Sequence, residues 1–391
     1  MKTTGDQQLV KRINRSVLLR LLRHRGGLSR AQLASESGLT KSTVSLLVRE
    51  LIEEGWITET SLAAAQGLGR PSTPLQLDGR RRAMLGVEIG VESLRVVGVS
   101  LTGEVLWSAE EPLADRAPGA VCGQVAALAV RAHGELAARP VLVSGMGIGV
   151  PGAFDEATGT IRFAPNLGWR DVAFQPLMAR ALAEAGCPSV AMHVQNEADT
   201  AALSEYEFAG GEATDSLIFV TCGVGVGAGI VLNDRLFTGL QGMAGEIGHS
   251  IVQIDGPACS CGRKGCAETF LGARALERQA EPARGGVYLG VVLQNLWTTF
   301  NPGALVVGGP SCERYPDIVR VARETLGGYA ASAGMAAPKV RSARYGLLAS
   351  AVGAAALVLH HELRPMHAPA VTAPPDEPEH RQGEAAPQFL H

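Results

Sequence analysis

The chain has 391 residues, 46% hydrophobic and 19% charged, which describes a soluble multidomain protein with ample core. No apolar run is long and uninterrupted enough to span a bilayer, and no secretory signal precedes the seven cysteines, so the reading excludes a membrane protein and a secreted disulfide framework and expects the cytoplasm. The net charge of −3 hides an asymmetry: residues 1–82 hold 14 Lys/Arg against 7 Asp/Glu, and the remainder 21 against 31. Only the front of the chain is suited to meet a polyanion.

Residues 9–24 place Leu9, Ile13, Val17, Leu18 and Leu21 at helical spacing with arginines opposite, predicting an amphipathic helix. Ser29 caps a second helix that stops at Gly38, and Thr40 caps a third that stops at Gly55. Two compact helices joined by Gly38-Leu39-Thr40 form a helix-turn-helix, whose second helix enters the major groove of a double-stranded DNA operator. Candidate DNA contacts are Ser29, Arg30, Thr40, Lys41, Ser42, Thr43, Ser45 and Arg49. Small hydroxyl residues permit close approach, and the basic ones supply charge. Trp56-Ile57-Thr58-Glu59 and residues 72–77 read as the two strands of a wing, with Arg70 on the GLGRP tip between them aimed at a minor groove. Arg80-Arg81-Arg82 then serves as a short linker, so residues 1–82 are assigned to a DNA-binding domain and its linker.

From Met84 the pattern changes to a β-hairpin, a helix over roughly 117–138 and a buried strand over 141–152, an α/β succession. Residues 217–232 form a Gly-interrupted hairpin, and helices are predicted over roughly 285–300 and at 347–363. After Leu363 the composition turns to Pro, Glu, Ala and Gln, which predicts a disordered tail over 364–391.

The most informative stretch is 245–268, GEIGHSIVQIDGPACSCGRKGCAE. His249, Cys259, Cys261 and Cys266 supply one imidazole and three thiolates, the donor set of a closed structural Zn2+ site. Cys122, Cys187, Cys222 and Cys312 lie scattered among apolar residues and do not read as partners. Glu246 and Glu268 bracket the cluster, and carboxylates held by a rigid loop suit the hydroxyls of a polyhydroxylated ligand. GEIGH followed by CxCGxxGCxE resembles the ROK family of bacterial sugar kinases and sugar-responsive transcriptional regulators. The front of the chain, with NRSVLLRLLR, SRAQLA, GLTKSTVSLLVRELIEEG and GRP in order, resembles the N-terminal domain of the family's regulators.

The resemblance implies an actin-like ATPase fold of two lobes over 83–363, preceded by the α+β winged helix-turn-helix, with the zinc loop at 245–268. It implies His249, Cys259, Cys261 and Cys266 as zinc ligands, and Asn166, Asn196, Glu197, Glu246, His249 and Glu268 as sugar ligands. It also marks departures. Where the family's kinases have DxGGTK for magnesium and phosphate, this chain has Glu88-Ile89-Gly90-Val91-Glu92-Ser93. Val91 crowds the phosphate path and Glu92 repels it. Val224 replaces a phosphate-binding threonine, and Glu197 stands where the kinases place an aspartate general base. A carboxylate moved by about 1 Å costs roughly a hundredfold in rate but can still accept a sugar hydroxyl. No ATP and no catalytic residue are therefore expected, although Leu305-Val306-Val307-Gly308-Gly309 keeps the pattern that borders adenosine in the kinases. Asn196-Glu197-Ala198 resembles the xylose-repressor-like members more than the glucosamine-type ones. Between Glu268 and Asn301 the chain is shorter than the family's usual course.

The favoured reading is a sugar-responsive regulator, a repressor of carbohydrate-metabolism genes, acting as a homodimer or homotetramer on a palindromic operator, with a sugar or sugar phosphate as effector. The alternatives are an ATP-dependent sugar kinase with an accessory DNA-binding domain, and a DNA-binding protein with a vestigial sugar site.

Overall fold

The computed structural model describes residues 7–60, 73–208 and 214–365. The N-terminal domain consists of α1 (Gln7–His24), α2 (Arg30–Ser37), α3 (Lys41–Glu53) and the antiparallel pair β1 (Ile57–Glu59) and β2 (Leu75–Leu77). Its helices start where side chains satisfy exposed backbone donors. Ser29 and Gln32 form a reciprocal capping box on α2, and the Thr40 hydroxyl accepts from the Thr43 amide on α3. Gly38 ends α2 in the left-handed conformation at φ 70°, which a residue with a Cβ adopts only under strain. Leu18, Leu19, Leu22, Leu33, Val44, Leu47, Val48 and Leu51 close its core. Arg70 and the rest of the expected wing tip lie outside the described residues.

The body has two lobes. The first contains β3 (Arg82–Ile89), β4 (Ser93–Ser100), β5 (Val105–Pro112), α4 (Pro118–Ala137) and β6 (Leu142–Val150). A small antiparallel sheet follows, β7 (Ala153–Asp155), β8 (Thr160–Ala164) and β9 (Trp169–Val172), then α5 (Phe174–Glu184), β10 (Ala191–Asn196) and α6 (Glu197–Glu207). The second lobe has β11 (Leu217–Cys222), β12 (Val226–Leu232), β13 (Arg235–Leu236), α7 (Glu268–Leu271), α8 (Ala273–Glu277) and α9 (Gly285–Phe300). It is completed by β14 (Ala304–Gly308), α10 (Pro310–Arg314), α11 (Asp317–Ser332), β15 (Val340–Ser342) and α12 (Ala349–Leu363). The main sheets run β10-β6-β3-β4-β5 and β13-β12-β11-β14-β15. The short segment after Glu268 folds as α7, α8 and a single 3-10 turn before α9.

Strand periodicity sets the layering. On β11, Ile218 and Val220 face the outer core with α9 and α11, while Leu217 and Phe219 face the central layer. On β3 and β4, Leu85, Val87 and Val96 face the core beneath α4 and α5, and Met84, Val97 and Val99 face the same central layer. That layer is α6 packed on α12. Residues 346–363 are apolar and long enough by composition to cross a bilayer, contrary to the reading of the bare sequence, but 67% of that window is buried, as in a core helix.

Two sequence expectations at the domain boundaries are corrected. Arg81 donates to the carbonyls of Ile52 and Glu53, and Arg82 donates to that of Glu54 and stacks over the Trp56 ring at 4.4 Å, so the arginines bind the head to the body and are not a free linker. At the other end, Arg364 is 5% exposed and belongs to the body. The rest of the expected tail, from residue 366, lies outside the described residues.

The α6–α12 contact has no room for a side chain at Gly353. A Cβ there would sit 1.6 Å from the Thr200 carbonyl oxygen. Gly353→Val is expected to destabilise the protein by about 3 kcal/mol or more in urea melts, and a loss below about 1 kcal/mol would show that the helices can separate cheaply.

Candidate functional site

The exposed face of α3 is the candidate DNA surface. Lys41, Ser42, Ser45 and Arg49 are exposed along it, while Val44, Leu47, Val48 and Leu51 are buried on the opposite side. Thr40 is exposed but its hydroxyl is engaged, 2.9 Å from those of both Ser42 and Thr43, and Ser45 donates back to the Lys41 carbonyl. Arg30 pairs with Glu59 at 2.8 Å at the edge of this face. Ser29 departs from the expectation of a DNA contact. It is 6% exposed and its hydroxyl donates to Gln32 Oε1, so its role is to start α2.

The metal cluster is compact. His249 lies on a 3-10 turn, and the cysteines follow on a loop stitched by isolated bridges pairing Ile251 with Cys266 and Ala258 with Lys264. The four candidate ligand atoms all lie within 4.8 Å of one another, with 3.6 Å from His249 Nδ1 to Cys259 Sγ and 3.7 Å between the Cys261 and Cys266 sulfurs. Tetrahedral bonds of about 2.3 Å to sulfur and 2.0 Å to nitrogen place ligand atoms about 3.5–3.8 Å apart, so the donor set and its spacing fit one divalent ion. The backbone amide and guanidinium of Arg263 lower the Cys261 thiol to about 6, favouring the thiolate that a metal needs. Gly265, at φ 71°, lets the loop close: a Cβ there would meet the Gln253 carbonyl at 1.7 Å.

Beside the cluster lies a carboxylate-lined cleft where β3, the N-terminus of α6 and the metal loop converge. Burial, then the charges of Glu88 and Glu246, raise Glu197 to about 7. Burial also raises Glu246, which feels His249 and Glu268, and the Glu268 carboxylate reaches toward Gly225 on the glycine-rich hairpin. Glu246, His249, Glu268 and Glu197 are thereby brought together. Asn196 serves them from behind: its Oδ1 accepts from the Ala198 amide at 2.7 Å as the cap of α6, and its Nδ2 donates to the Gly152 carbonyl. Asn166 lies on the exposed turn between β8 and β9, where Arg116 donates to its carbonyl at 3.5 Å.

Two members of this region, Asp199 and Arg95, escaped sequence reasoning. Asp199 is fully enclosed one turn into α6 and raised well above its ordinary range by burial, Glu246 and Glu156. Glu88, at the first-strand turn, accepts from Arg95 at 3.3 Å, and Arg95 also holds Glu110 at 2.8 Å. Glu88 and Arg95 are cross-strand partners in the β3–β4 register, a signal available from the hairpin alone.

Residues 84–285 match the ROK family model, and residues 12–58 match the winged helix-turn-helix DNA-binding model. The chain belongs to the ROK family. Among relatives of this ROK protein, the putative xylose repressor of Caldicellulosiruptor sp. (strain Rt8B.4) is 34% identical over 70% of the chain and 67% of the relative. The xylose repressor of Bacillus subtilis (strain 168) is 26% identical over 92% of the chain and 98% of the relative. A crystal structure of a ROK family transcriptional regulator, a homolog of the E. coli MLC protein, superposes with a TM-score of 0.72 at 24% identity, over 92% of this chain and 98% of that one, which shows a shared fold. The winged head on a two-lobed actin-like body is thus a ROK architecture throughout.

The raised Glu197 has a signed consequence. Its folded pKa of about 7 exceeds the ordinary 4.5, so the fold is favoured by its protonation, and that stability is lost as pH rises from about 4.5 to 7. Glu197→Gln is expected to stabilise the ligand-free protein at pH 8 by up to about 3 kcal/mol and to leave it nearly unchanged at pH 4.5. Thermal melts across this range check the slope; equal effects at both ends would contradict the burial.

Proposed function

We propose that this ROK protein is a sugar-responsive DNA-binding transcriptional repressor, residing in the cytoplasm and working as a twofold assembly on an operator. The observation that carries the reading is the pairing, in one chain, of an outward basic recognition face with a carboxylate cleft whose magnesium-side carboxylate is already neutralised. Arg95 holds Glu88 through both carboxylate oxygens, so an internal cation stands where the family's kinases need a metal and a phosphate. Val224 is 45% exposed on the hairpin and offers methyls in place of a hydroxyl, and Glu92 adds charge at the first turn. Sugar hydroxyls would donate to Glu246, Glu268 and Glu197 and meet His249, with Asn166 at the rim and Asn196 fixing the helix start. The names of the relatives support repression and make D-xylose the first sugar to test.

His249, Cys259, Cys261 and Cys266 would hold zinc, whose work is structural: it removes the freedom of the loop that carries Glu246 and Glu268 to the cleft. Purified protein is expected to contain one zinc per chain by elemental analysis. Cys266→Ser should lose the metal, lower the melting temperature and weaken sugar binding together. Retained sugar affinity in a zinc-free variant would separate the loop from the site.

The reading is tested by titrating the protein onto DNA from upstream of its own gene at fixed salt, with D-xylose and other sugars and sugar phosphates present. Specific binding that one sugar changes by about tenfold is expected, a typical coupling between linked sites. Glu246→Ala should abolish that response and leave DNA binding intact. Sugar phosphorylation with ATP, or specific DNA binding that no sugar alters, would overturn the proposal.

A further inference from the structure

The sugar cleft and the DNA-binding head are joined by one helix. α6 begins at Glu197 in the cleft and ends at Glu207, about 15 Å away at 1.5 Å per residue. Every residue from Ala198 to Glu207 is buried, so the helix has no free face along which to bend into solvent. Its flanks meet backbone rather than side chains. A Cβ at Gly353 of α12 would lie 1.6 Å from the Thr200 carbonyl, and one at Gly229 of β12 would lie 2.1 Å from the Ala198 carbonyl. Motion applied at one end therefore finds little slack on the way to the other.

At the far end, Glu207 is held from two directions. Arg23 of α1 contacts its Oε2 at 2.5 Å and also donates to the Tyr206 carbonyl, its guanidinium lying 5.2 Å from the Tyr206 ring centroid. Arg364 and His360, at the end of α12, bond its Oε1 at 2.8 and 2.7 Å. The Glu207 side chain has no exposed area, and those of Arg23 and Arg364 are 7% and 4% exposed. Burial opposes ionisation of Glu207, yet Arg23, Arg364 and His360 outweigh it and hold the carboxyl well below its ordinary range. A second head–body ion pair, Arg20 to Asp234 at 3.0 Å, is 37% and 27% exposed and joins the same network, since Asp234 accepts from Tyr206 of α6 at 2.7 Å and pairs with Arg364.

We propose that α6 is the element that couples sugar binding to DNA binding, and that the buried Arg23–Glu207 pair is its joint with the head. This rests on the cleft being the sugar site. A ligand that prefers one position of Glu197 biases the position of the whole helix, and through Arg23 the angle of α1, which Lys11–Glu50 and Arg15–Glu54 tie to the C-terminal end of the recognition helix. Arg23 is a positioning residue and touches neither ligand.

The test uses the full chain, an operator fragment bound by the wild type, and D-xylose as probe. In Arg23→Gln, Glu207 keeps Arg364 and His360, so the fold is retained. D-xylose affinity by calorimetry and operator affinity without sugar should each stay within about threefold of wild type, while the sugar-induced change in operator affinity falls from about tenfold to under about twofold. Arg23→Lys should restore part of the response. Arg81→Gln should keep it, because Arg81 binds the head through the Ile52 and Glu53 carbonyls, away from α6. A wild type that responds alongside an Arg23→Gln variant that responds equally overturns the joint alone, as does equal loss in Arg81→Gln. A wild type whose operator affinity none of the sugars and sugar phosphates titrated above changes overturns the sugar-site reading as well.

Discussion

Backbone-to-backbone packing of α6 against α12 is the contact on which the rest of the body depends. Each helix also lies directly on a sheet: Gly86 and Gly147 admit the carbonyls of Ala351 and Ala354 of α12, and Gly229 admits that of Ala198 of α6. The order sheet, helix, helix, sheet is therefore closed at these points by glycines that bring backbone against backbone, with Met84, Val97, Val99, Leu217 and Phe219 filling the space around them. Small residues in α12, where Ala349, Ala351, Ala354, Ala355 and Ala356 are all buried, are the sequence's means to that end. The arrangement gives up the apolar area larger side chains would bury and gains a rigid centre.

The charges at the two ends of α6 follow from that burial. Acidic residues near a helix N-terminus are favoured by the peptide dipoles, but Glu197 and Asp199 are so enclosed, and so near other carboxylates, that burial dominates and both are raised. The cleft thus carries an electrostatic debt that hydroxyl donors of a ligand can relieve. At the C-terminus the dipole disfavours acids, yet Glu205 and Glu207 are both fully buried there. They are tolerable only because cations arrive from elsewhere: Arg341 on β15 for Glu205, and Arg23 and Arg364 for Glu207. The head is one of those sources. Its Arg23 adds to the two partners, Arg364 and His360, that the body itself supplies to Glu207.

What was legible in the sequence was what is local. The helix caps at Ser29 and Thr40, the Gly-interrupted hairpin at 217–232, and a His/Cys cluster whose four candidate ligands fall within 18 consecutive residues all depend on short separations. The capping box even explains the one misassigned DNA contact, since Ser29-x-x-Gln32 was visible and argued for a buried cap. The pairs that organise the molecule were not legible, because they join residues 184 and 157 positions apart, Arg23 and Arg364 each to Glu207. Basic residues at 80–82 read as a linker by composition, and only the tertiary position of the α3 carbonyls turns them into a clamp. The carboxylate cleft was half legible. Glu197, Glu246 and Glu268 stand in recognisable motifs, whereas Asp199 joins them only because α6 is buried on every side.

The internal order of the head decides whether a push at Arg23 can reach DNA. α3 carries Glu50 and Glu53 near its C-terminal end, and Glu54 caps it, charges that would repel a duplex if left open. Two of them are turned inward to α1: Lys11 donates to Glu50 at 2.9 Å and Arg15 to Glu54 at 2.7 Å, and that bond holds the Glu54 carboxyl below its ordinary range. The same pairs leave Lys41 and Arg49 to set the sign of the outer face and tie the C-terminal end of the recognition helix to α1. With Leu18, Leu19 and Leu22 filling the space between, the three helices form one body. α1 spans about 26 Å, at 1.5 Å per residue; Glu207 holds it near its C-terminal end through Arg23, while Lys11 and Arg15 nearer its start hold the C-terminal end of α3. Under the proposed coupling, a rotation of α1 about Arg23 would therefore be passed to the end of α3 and displace Lys41 and Arg49 on its outer face.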